Sequence, residues 1–385
     1  MSTSNPPLLV AHVAHTTERG GAEIALARLL SHPARAWQAR LALPTDSSLG
    51  VFAGLDDVDI SRAGRPQRPG AASASPIAAT RFAGALVRQA GALRRSGALH
   101  GADVVHANST RAAAYAALAL RGRTTPLIVH LRDRIERDAI GSAGALLFRR
   151  VVVPRATGFV ANSASTARTV SPLARADQFV EVVPSPIGMS RAVHSAPRPD
   201  GPVRIGMVAR LSPWKGQEEL LRAFARAGLS GRATLTLVGG TSFGSEEFAR
   251  RLAGLARELG VAGDVTFAGH EDEVRGRIDA LDVCVQYSTR PEPLGQNVLQ
   301  YLARGRTVVA SNEGGPAEWI RDGENGVLVP PRDVAALAKA LRRLVDDAAL
   351  RGRLADAART DERIPSDETI VRAHERVFAR AAGRH

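Results

Sequence analysis

Two cationic side chains stand in one short loop in the second half of the chain. The loop follows an apolar run at residues 203–208 and carries Arg210 and Lys215, with Gly216 directly after them. Such a run is typical of a buried strand, and open parallel sheets bind ligands beyond the carboxyl ends of their strands. Two cations there would neutralise a diphosphate and stabilise the charge on a departing nucleoside diphosphate. The alternative is a surface loop with incidental charge.

The lysine in this loop favours the first interpretation. The chain has 51 lysine and arginine residues, of which only Lys215 and Lys339 are lysines. Because arginine serves nearly everywhere else, a lysine here indicates a need for a compact point charge. We therefore predict that Arg210 and Lys215 hold a diphosphate.

A carboxylate between two prolines is the second candidate group. Pro291 and Pro293 restrict the backbone around Glu292, which could accept hydrogen bonds from sugar hydroxyls. Gln300, on the helix predicted to follow, could reach a second pair of hydroxyls. The N–H groups at the start of that helix would meet phosphate or sugar oxygens, and they belong to Leu294, Gly295, Gln296 and Asn297. The alternative is a solvated turn carboxylate.

Alternating strands and helices would position these groups. The second half predicts strands at 203–208, 234–238, 265–268, 283–286 and 307–310, separated by helices. The first half predicts strands at 8–14, 103–106, 127–130, 158–161 and 179–184. This alternation implies parallel sheets covered by helices on both faces. We predict an α/β chain of two doubly wound, Rossmann-like domains with a cleft between them.

Composition suggests where the domains end. Residues 188–202 lack periodicity and hold three prolines, so we predict a linker between domains at 1–187 and 203–365. Residues 64–80 are rich in proline, glycine, serine and alanine and predict a mobile loop. A final helix is predicted at 366–382.

The net charge limits the choice of partner. The 385 residues carry a formal charge of +13, but the basic residues are dispersed and only 4% of residues are aromatic. That pattern argues against nucleic acid and favours an anionic substrate or a membrane surface; a codon bias toward arginine would also produce it. Basic apolar segments at 81–99 and 143–155 would suit a lipid-linked acceptor or peripheral contact with an anionic membrane, and a soluble small-molecule acceptor is equally open.

Compartment and redox state follow from what the sequence lacks. The single cysteine, Cys284, allows no disulfide within the chain. The first residues have no basic region of the signal-peptide kind, and no apolar run reaches membrane-spanning length. We predict a cytoplasmic protein, with the inner membrane face as a second location.

The chain resembles the family 4 glycosyltransferases of the GT-B fold. The resemblance runs from residue 8 to about residue 346, and its C-terminal group of motifs is the more specific. The matching stretches are GGAE at 20–23, VHLRD at 129–133, the loop at 210–216, LVGG at 237–240, VTFAG at 265–269, PEPLGQ at 291–296 and GGPAE at 314–318.

The resemblance implies a retaining hexosyltransferase-type enzyme that needs neither a metal nor another cofactor. A UDP- or GDP-type sugar donor would bind mainly in the C-terminal domain and the acceptor mainly in the N-terminal domain. The last helix would cross back onto the N-terminal domain.

The resemblance also implies roles for single residues. Arg210 and Lys215 would hold the diphosphate, Glu292 would contact the donor sugar, and His130 would lie over the reacting sugar. Three further positions would face the donor site, namely Gly21, Gly239 and Gln300. The family often has a second glutamate where this chain has Gln300.

Other functions remain open at this point. A nucleotide-sugar epimerase or hydrolase would need no separate acceptor. A catalytically degenerate protein would bind a nucleotide sugar without turning it over. Gln300, an amide where the family often has a glutamate, favours this alternative. A nucleic-acid binder would rest on charge alone.

Overall fold

The computed structural model of the chain contains two compact units. Residues 6–44, 48–65, 76–193, 201–240 and 246–384 are described, without the side chains of 76–82. Unit 1 comprises Met1–Pro186 and Ser366–His385, and unit 2 comprises Ile187–Pro365.

Unit 1 is built on a seven-stranded parallel sheet. Its strands are β1 (Leu9–Val13), β2 (Gln38–Leu43), β3 (Val58–Arg62), β4 (Val104–Ala107), β5 (Leu127–Leu131), β6 (Gly158–Ala161) and β7 (Phe179–Val182). Their order across the sheet is β3-β2-β1-β4-β5-β6-β7. The chain moves outward from β1 to β3 and then returns to the other side of β1, so the strand order reverses between β1 and β4.

Helices follow most of these strands, as right-handed crossovers require. They are α1 (Gly21–Ser31), α2 (Pro76–Arg95), α3 (Thr110–Ala119), α4 (Arg137–Leu147), α5 (Val153–Arg155) and α6 (Ala164–Val170). Serine hydroxyls cap two of them: Ser109 accepts the N–H of Ala112, and Ser163 accepts the N–H of Thr166. These caps satisfy N–H groups that have no partner within a helix.

Unit 2 repeats the arrangement with six parallel strands. They are β8 (Val203–Val208), β9 (Ala233–Val238), β10 (Val265–Gly269), β11 (Val283–Gln286), β12 (Thr307–Ser311) and β13 (Val327–Val329). The order is β10-β9-β8-β11-β12-β13, so it reverses between β8 and β11. The helices are α7 (Gln217–Arg226), α8 (Glu246–Glu258), α9 (Arg275–Asp279), α10 (Gln296–Ala303), α11 (Pro316–Trp319), α12 (Val334–Asp346) and α13 (Ala348–Thr360).

The last helix, α14 (Asp367–Ala381), returns to unit 1. Ser366 caps its first turn by accepting the N–H of Thr369. One face of the helix is buried, and it consists of Ile370, Val371, His374, Val377 and Phe378. This face covers the side of the unit 1 sheet opposite to α2 and α3, because His374 and Phe378 contact rings on that side.

Two predicted segments differ from the structure. The predicted loop at 64–80 is wrong for residues 76–80, because α2 begins at Pro76; residues 66–75 lie outside the described residues. Proline suits the first turn of a helix, where no N–H is needed. The same helix ends at Arg95, earlier than the predicted residue 99, and Gly97 turns the chain with a φ of +74°.

The predicted linker at 188–202 is partly attached to unit 2. The N–H of Ala192 donates to the carbonyl of Ala303 (2.9 Å), and the guanidinium of Arg191 donates to the carbonyls of Asp361 (2.5 Å) and Ile364 (2.6 Å). Residues up to 193 therefore have the fixed partners of a folded segment, and 194–200 lie outside the described residues. No helix in the described part of the chain has the length and apolarity needed to cross a membrane.

Candidate functional site

Two loops of unit 2 meet where its strand order reverses. The first follows β8 and carries Arg210 and Lys215, and the second follows β11 and carries Glu292. The N–H of Thr289 donates to the carbonyl of Trp214 (2.8 Å), which fastens the second loop to the first. The structure thus brings together two of the regions that the sequence singled out.

Glycines allow the backbones to approach this closely. Gly216 has a φ of +81°, and a Cβ atom there would lie 1.8 Å from the carbonyl oxygen of Tyr287. Gly314 has a φ of +73°, and a Cβ atom there would lie 2.5 Å from the carbonyl oxygen of Glu292. The N–H of Gly315 donates to that same carbonyl (2.8 Å). The backbone of Glu292 is therefore held by the loop that follows β12.

The side chain of Glu292 is held as firmly as its backbone. Lys215 Nζ lies 2.5 Å from Oε1, and the hydroxyl of Ser288 donates to Oε2 (2.5 Å). The carboxamide of Gln286 donates to Ser288 Oγ (2.8 Å). Burial by itself would raise the pKa of Glu292, but the Lys215 ammonium and the hydrogen bonds outweigh it and lower the pKa. Glu292 is therefore an anion whose side chain is held in one orientation.

An aromatic ring adds to the positive side of the site. Lys215 Nζ lies 4.1 Å and Arg290 Cζ 4.3 Å from the ring centroid of Trp214, within the range of cation–π attraction. The side chain of Arg210 is exposed, and its carbonyl accepts a hydrogen bond from Gln217 (2.9 Å). The loop after β8 therefore carries an exposed guanidinium and an ammonium held by Glu292, two cationic groups that suit an anionic ligand.

Some residues at the start of α10 form hydrogen bonds within the protein. Gly295 takes the N-cap position with a φ of +75°, and Gln296 is the first helical residue. The buried Leu294 accepts a hydrogen bond on its carbonyl from Trp319 (3.2 Å). The carboxamide of Asn297 donates to the carbonyl of Val208 (3.2 Å). Ligand contacts at these four positions stay a prediction.

Gly239 and Gln300 are engaged in structural contacts. The N–H of Gly239 donates to the carbonyl of Gly269 (2.8 Å), and a Cβ atom at Gly239 would lie 2.0 Å from the carbonyl oxygen of Ala209. Gln300 is buried and donates from its carboxamide to the carbonyl of Ile187 (3.1 Å). The Gln300 amide N–H therefore bonds to the main chain, and the predicted contact of its side chain with ligand hydroxyls stays a prediction.

In unit 1, three histidines form a row across neighbouring strands, and all are fully buried. They are His12 in β1, His106 in β4 and His130 in β5. Trp37 Nε1 donates to His12 Nε2 (3.0 Å), His12 Nδ1 lies 2.9 Å from His106 Nδ1, and His106 Nε2 lies 3.1 Å from His130 Nδ1. Because Trp37 can only donate, the network assigns each ring one donor and one acceptor nitrogen.

His130 is a buried histidine whose pKa is lowered by its surroundings. Burial lowers its pKa well below the usual range, and Arg132 and the neighbouring histidines add to the effect. Its ring lies under α14, 5.3 Å between centroids from the ring of His374. The ring is buried, and its Nε2 has no hydrogen-bond partner among the described residues, so the predicted contact of His130 with a reacting sugar stays a prediction.

The carboxyl end of the unit 1 sheet carries one exposed glycine and two buried charged residues. Gly21 is exposed at the start of α1, and a Cβ atom there would have no atom within 4 Å. Glu23 lies in the first turn of the same helix, and Arg132 follows β5. No role was predicted for Glu23, Arg132, Ser288 or Gln286. Ser288 stands four residues before Glu292, but because the segment is not helical this spacing gave no signal of their contact.

Comparisons with known proteins identify the family. The sequence matches the glycosyl transferases group 1 over residues 191–361 and the glycosyl transferase 4-like domain over residues 20–186. A D-inositol 3-phosphate glycosyltransferase of Nocardioides sp. is 30% identical over 309 residues, which cover 72% of this chain and 67% of that one. The chain belongs to the group 1, family 4 glycosyltransferases. The predicted family is thereby confirmed.

Two further relatives of this chain match over a shorter region. The lipopolysaccharide core biosynthesis glycosyltransferase LpsE of Rhizobium meliloti is 38% identical over 170 residues, 44% of this chain and 47% of that one. A D-inositol 3-phosphate glycosyltransferase of Stackebrandtia nassauensis is 35% identical over 227 residues, 54% of this chain and 50% of that one. The chain thus spans about half the length of these two relatives.

Solved structures identify the fold of the chain. HepE of Anabaena, in complex with UDP and glucose, has a TM-score of 0.77 at 21% identity, over 96% of this chain and 99% of that one. Sucrose-phosphate synthase of Thermosynechococcus elongatus has a TM-score of 0.78 at 20% identity, over 97% and 98%. The predicted fold class, GT-B with two parallel-sheet α/β domains, is confirmed.

Proposed function

We propose that this glycosyltransferase moves a hexose-type sugar from a nucleoside-diphosphate sugar to an acceptor hydroxyl, with retention of anomeric configuration and without a metal. One observation carries the proposal: the Lys215–Glu292 ion pair lies where the strand order of unit 2 reverses. Doubly wound sheets bind their ligands at that position. The complex of HepE with UDP and glucose supports a UDP-type donor, and a GDP-type donor is the alternative.

The proposed chemistry needs electrostatic stabilisation more than proton transfer from the protein. The bond between the anomeric carbon and the phosphate oxygen breaks, and its electron pair leaves with the nucleoside diphosphate. The acceptor oxygen attacks from the same face, and its proton passes to the departing phosphate oxygen. Lys215 has three N–H donors and uses one on Glu292, so two remain for the diphosphate beside Arg210. Glu292 accepts hydrogen bonds from the donor sugar.

Each of the two units is proposed to bind one of the two substrates. Unit 2 would bind the donor, because it holds Arg210, Lys215 and Glu292. Unit 1, completed by α14, would bind the acceptor. Binding the donor to a prepared site and the acceptor to another would hold both reactants in position for transfer, which lowers the entropic cost of the reaction.

A peripheral membrane contact is proposed for the acceptor side. In α2, Arg88, Arg94 and Arg95 are exposed next to Val87, whose exposed fraction is 63%. Basic and apolar groups on one surface suit an anionic lipid headgroup layer. The membrane contact is tested by flotation with phosphatidylcholine vesicles, prepared with and without about 30% of the anionic lipid phosphatidylglycerol. Binding to the anionic vesicles alone supports the proposed contact, and no binding contradicts it.

The proposed function is tested with a panel of UDP- and GDP-sugars, read first by thermal unfolding. A ligand present at about 100 times its Kd stabilises the native state by about 2.7 kcal/mol. The donor that does so is then incubated with candidate acceptors and EDTA, and the anomeric proton of the product is followed by NMR. Retained configuration in EDTA supports the proposal. Consumption of donor without an acceptor indicates a hydrolase or epimerase, and binding without turnover indicates a degenerate protein.

A further inference from the structure

Arg332, in the loop after β13, has a backbone conformation that favours glycine. Its φ is +61°, and among the described residues it is the one residue other than glycine with a positive φ. A Cβ atom in this left-handed region lies too close to the following carbonyl oxygen, so an arginine there is strained. Such strain persists where surrounding contacts fix the residue, and it is concentrated at functional sites. The contacts of Arg332 therefore indicate what the strained conformation achieves.

The loop after β13 is fastened to the residue that follows β11. The hydroxyl of Tyr287 donates to the carbonyl of Pro330 (2.8 Å) and accepts the N–H of Asp333 (2.8 Å). Tyr287 is itself fully buried. One rigid side chain therefore holds the backbone on both sides of Arg332, and this keeps residue 332 in its strained conformation.

The side chain of Arg332 contacts the loop after β11 at a second point. Its Nη1 donates to the carbonyl of Thr289 (2.5 Å) and lies 3.3 Å from Oε2 of Glu313, in the loop after β12. The ion pair with Glu313 contributes little, because the Arg332 side chain is 56% exposed and solvent screens the attraction. The hydrogen bond to the main chain of Thr289 is therefore the contact that bears on the candidate site.

Thr289 stands between the two loops that supply the partners of Glu292. Its N–H donates to the carbonyl of Trp214 (2.8 Å), the residue before Lys215. The residue before Thr289 is Ser288, whose hydroxyl donates to Oε2 of Glu292 (2.5 Å). A shift of the Thr289 main chain would therefore move both groups that hold the carboxylate.

We propose that Arg332 is a positioning residue, which holds the loop after β11 through Thr289 so that Glu292 keeps its place in the donor site. Tyr287 fixes only the first residue of that loop, whereas the bond from Arg332 holds the loop two residues nearer to Glu292. A displacement of about 1 Å can slow an enzyme by about 100-fold, so a bond that never touches the substrate can matter. The inference rests on the proposed function, since it concerns the donor site of that reaction.

Three substitutions separate the hydrogen bond from the backbone strain. Arg332→Gly removes the bond and relieves the strain, whereas Arg332→Ala removes the bond and keeps a Cβ atom. Both should lower kcat/KM for the donor by about tenfold, although Arg332→Gly should unfold at a higher temperature than Arg332→Ala. Arg332→Lys can still donate to Thr289 and should recover most of the lost activity. In both inactive variants the acid limb of the pH–rate profile should move to higher pH, because the partners of Glu292 are loosened.

Amide exchange at Thr289 reads the position of the loop without requiring turnover. Loss of the bond in Arg332→Gly should speed exchange of the Thr289 N–H by about tenfold, because the loop opens more readily. Glu313→Gln removes the ion pair and leaves the bond to Thr289. It should change neither the exchange rate nor kcat/KM by more than about twofold.

The role of Arg332 is overturned if Arg332→Gly and Arg332→Ala keep the kcat/KM of the wild type, or if Thr289 exchange is unchanged in Arg332→Gly. It is also overturned if the pH–rate profile does not move when kcat/KM falls. A wild-type protein that turns over no nucleotide sugar would instead count against the proposed function, and the exchange of Thr289 would still decide the role of Arg332.

Discussion

The ammonium of Lys215 lies 2.5 Å from Oε1 of Glu292, although 77 residues separate them in the sequence. The pair joins the loop after β8 to the loop after β11. Their side chains are only 17% and 13% exposed, so the attraction is weakly screened by solvent. The Lys215 ammonium therefore helps to keep Glu292 ionised, and the contact orients both side chains at the proposed donor site.

Lys215→Ala should reduce turnover by about 100- to 1,000-fold, because it removes a charge that faces the leaving diphosphate. It also leaves Glu292 as a partly buried anion, so stability should fall by about 3 kcal/mol. Steady-state kinetics and thermal unfolding measure the two effects. Lys339→Ala is the control, because the only other lysine of the chain is exposed on α12. Wild-type turnover in Lys215→Ala would remove the proposed role.

Ser288→Ala should disturb Glu292 without removing it. The Ser288 hydroxyl donates to Glu292 Oε2 and helps to lower the pKa of that carboxyl. A lost hydrogen bond to a charged group costs about 1.5–3 kcal/mol, so kcat/KM for the donor should fall by about tenfold or more. The acid limb of the pH–rate profile should move to higher pH. Ser288→Thr keeps the hydroxyl and should restore both; an unchanged profile in Ser288→Ala would show that Ser288 does not position Glu292.

Gln300→Glu should weaken unit 2. The carboxamide of Gln300 donates to the carbonyl of Ile187, and a carboxylate cannot donate there. Two oxygens would face each other in a buried place, at a cost of about 1–3 kcal/mol. Denaturant unfolding measures this loss, and Gln300→Met, which introduces no charge, should lose less. A variant of full stability that binds UDP more tightly would mean that residue 300 can turn toward a ligand.

Acid should destabilise unit 1 through its buried histidines. Burial, and to a smaller degree Arg132, lower the pKa of His374 to about 4 despite its hydrogen bond to Ile370. The native state then binds fewer protons than the unfolded chain below the unfolded pKa of 6.5. The contribution of His374 to the free energy of unfolding is fully present above pH 6.5 and is lost as the pH falls toward 4. The loss is about 2 kcal/mol between pH 6.5 and 5.

His374→Leu isolates that contribution, because it removes the titrating ring and keeps an apolar residue on the buried face of α14. The decline in unfolding free energy from pH 7 to 5 should become shallower by about the same 2 kcal/mol. His100→Gln, at an exposed histidine, should leave the decline unchanged. An unchanged slope in His374→Leu would indicate that its ring is charged in the native state.

Glu23 should show the opposite dependence. Burial raises its pKa to about 7, with smaller contributions from Asp133 and Glu18, whereas its own backbone N–H and Arg132 act against the rise. The native state therefore binds more protons than the unfolded chain between pH 4.5 and 7, and stability is lost as pH rises through that window. Ionised Glu23 costs up to about 3 kcal/mol above pH 7.

Glu23→Gln removes this cost, so it should raise the unfolding temperature at pH 8 and leave it nearly unchanged at pH 5. A residue that lowers stability at working pH is one that a protein retains for function rather than for folding. Equal unfolding temperatures of variant and wild type at pH 8 would mean that Glu23 is compensated in the native state.

Local sequence patterns were sufficient to predict the fold class and to identify candidate residues within a single loop. Apolar runs and helical periodicity depend on neighbours in the sequence, so the strands β8, β11 and β12 were predicted within one residue of their observed bounds. The strands β2, β3 and β13 were not predicted. The segment at 76–80 was predicted as a loop, because a proline that starts a helix has the same local signature as one in a loop.

Partners distant in sequence were decided by the tertiary structure. Sequence alone identified Lys215 and Glu292 as candidates, since unusual residue types and bracketing prolines are local facts, but it did not pair them with each other or with Ser288. It placed His130 at a strand end, whereas the return of α14 encloses that ring with His374. Glu23 and Arg132 lie in stretches that carry the family resemblance, but the sequence did not predict their burial, because burial arises only when separate strands and helices meet. Hydrogen bonding and desolvation depend on distance in space, and that is why the charges of this protein could be assigned only from its folded structure.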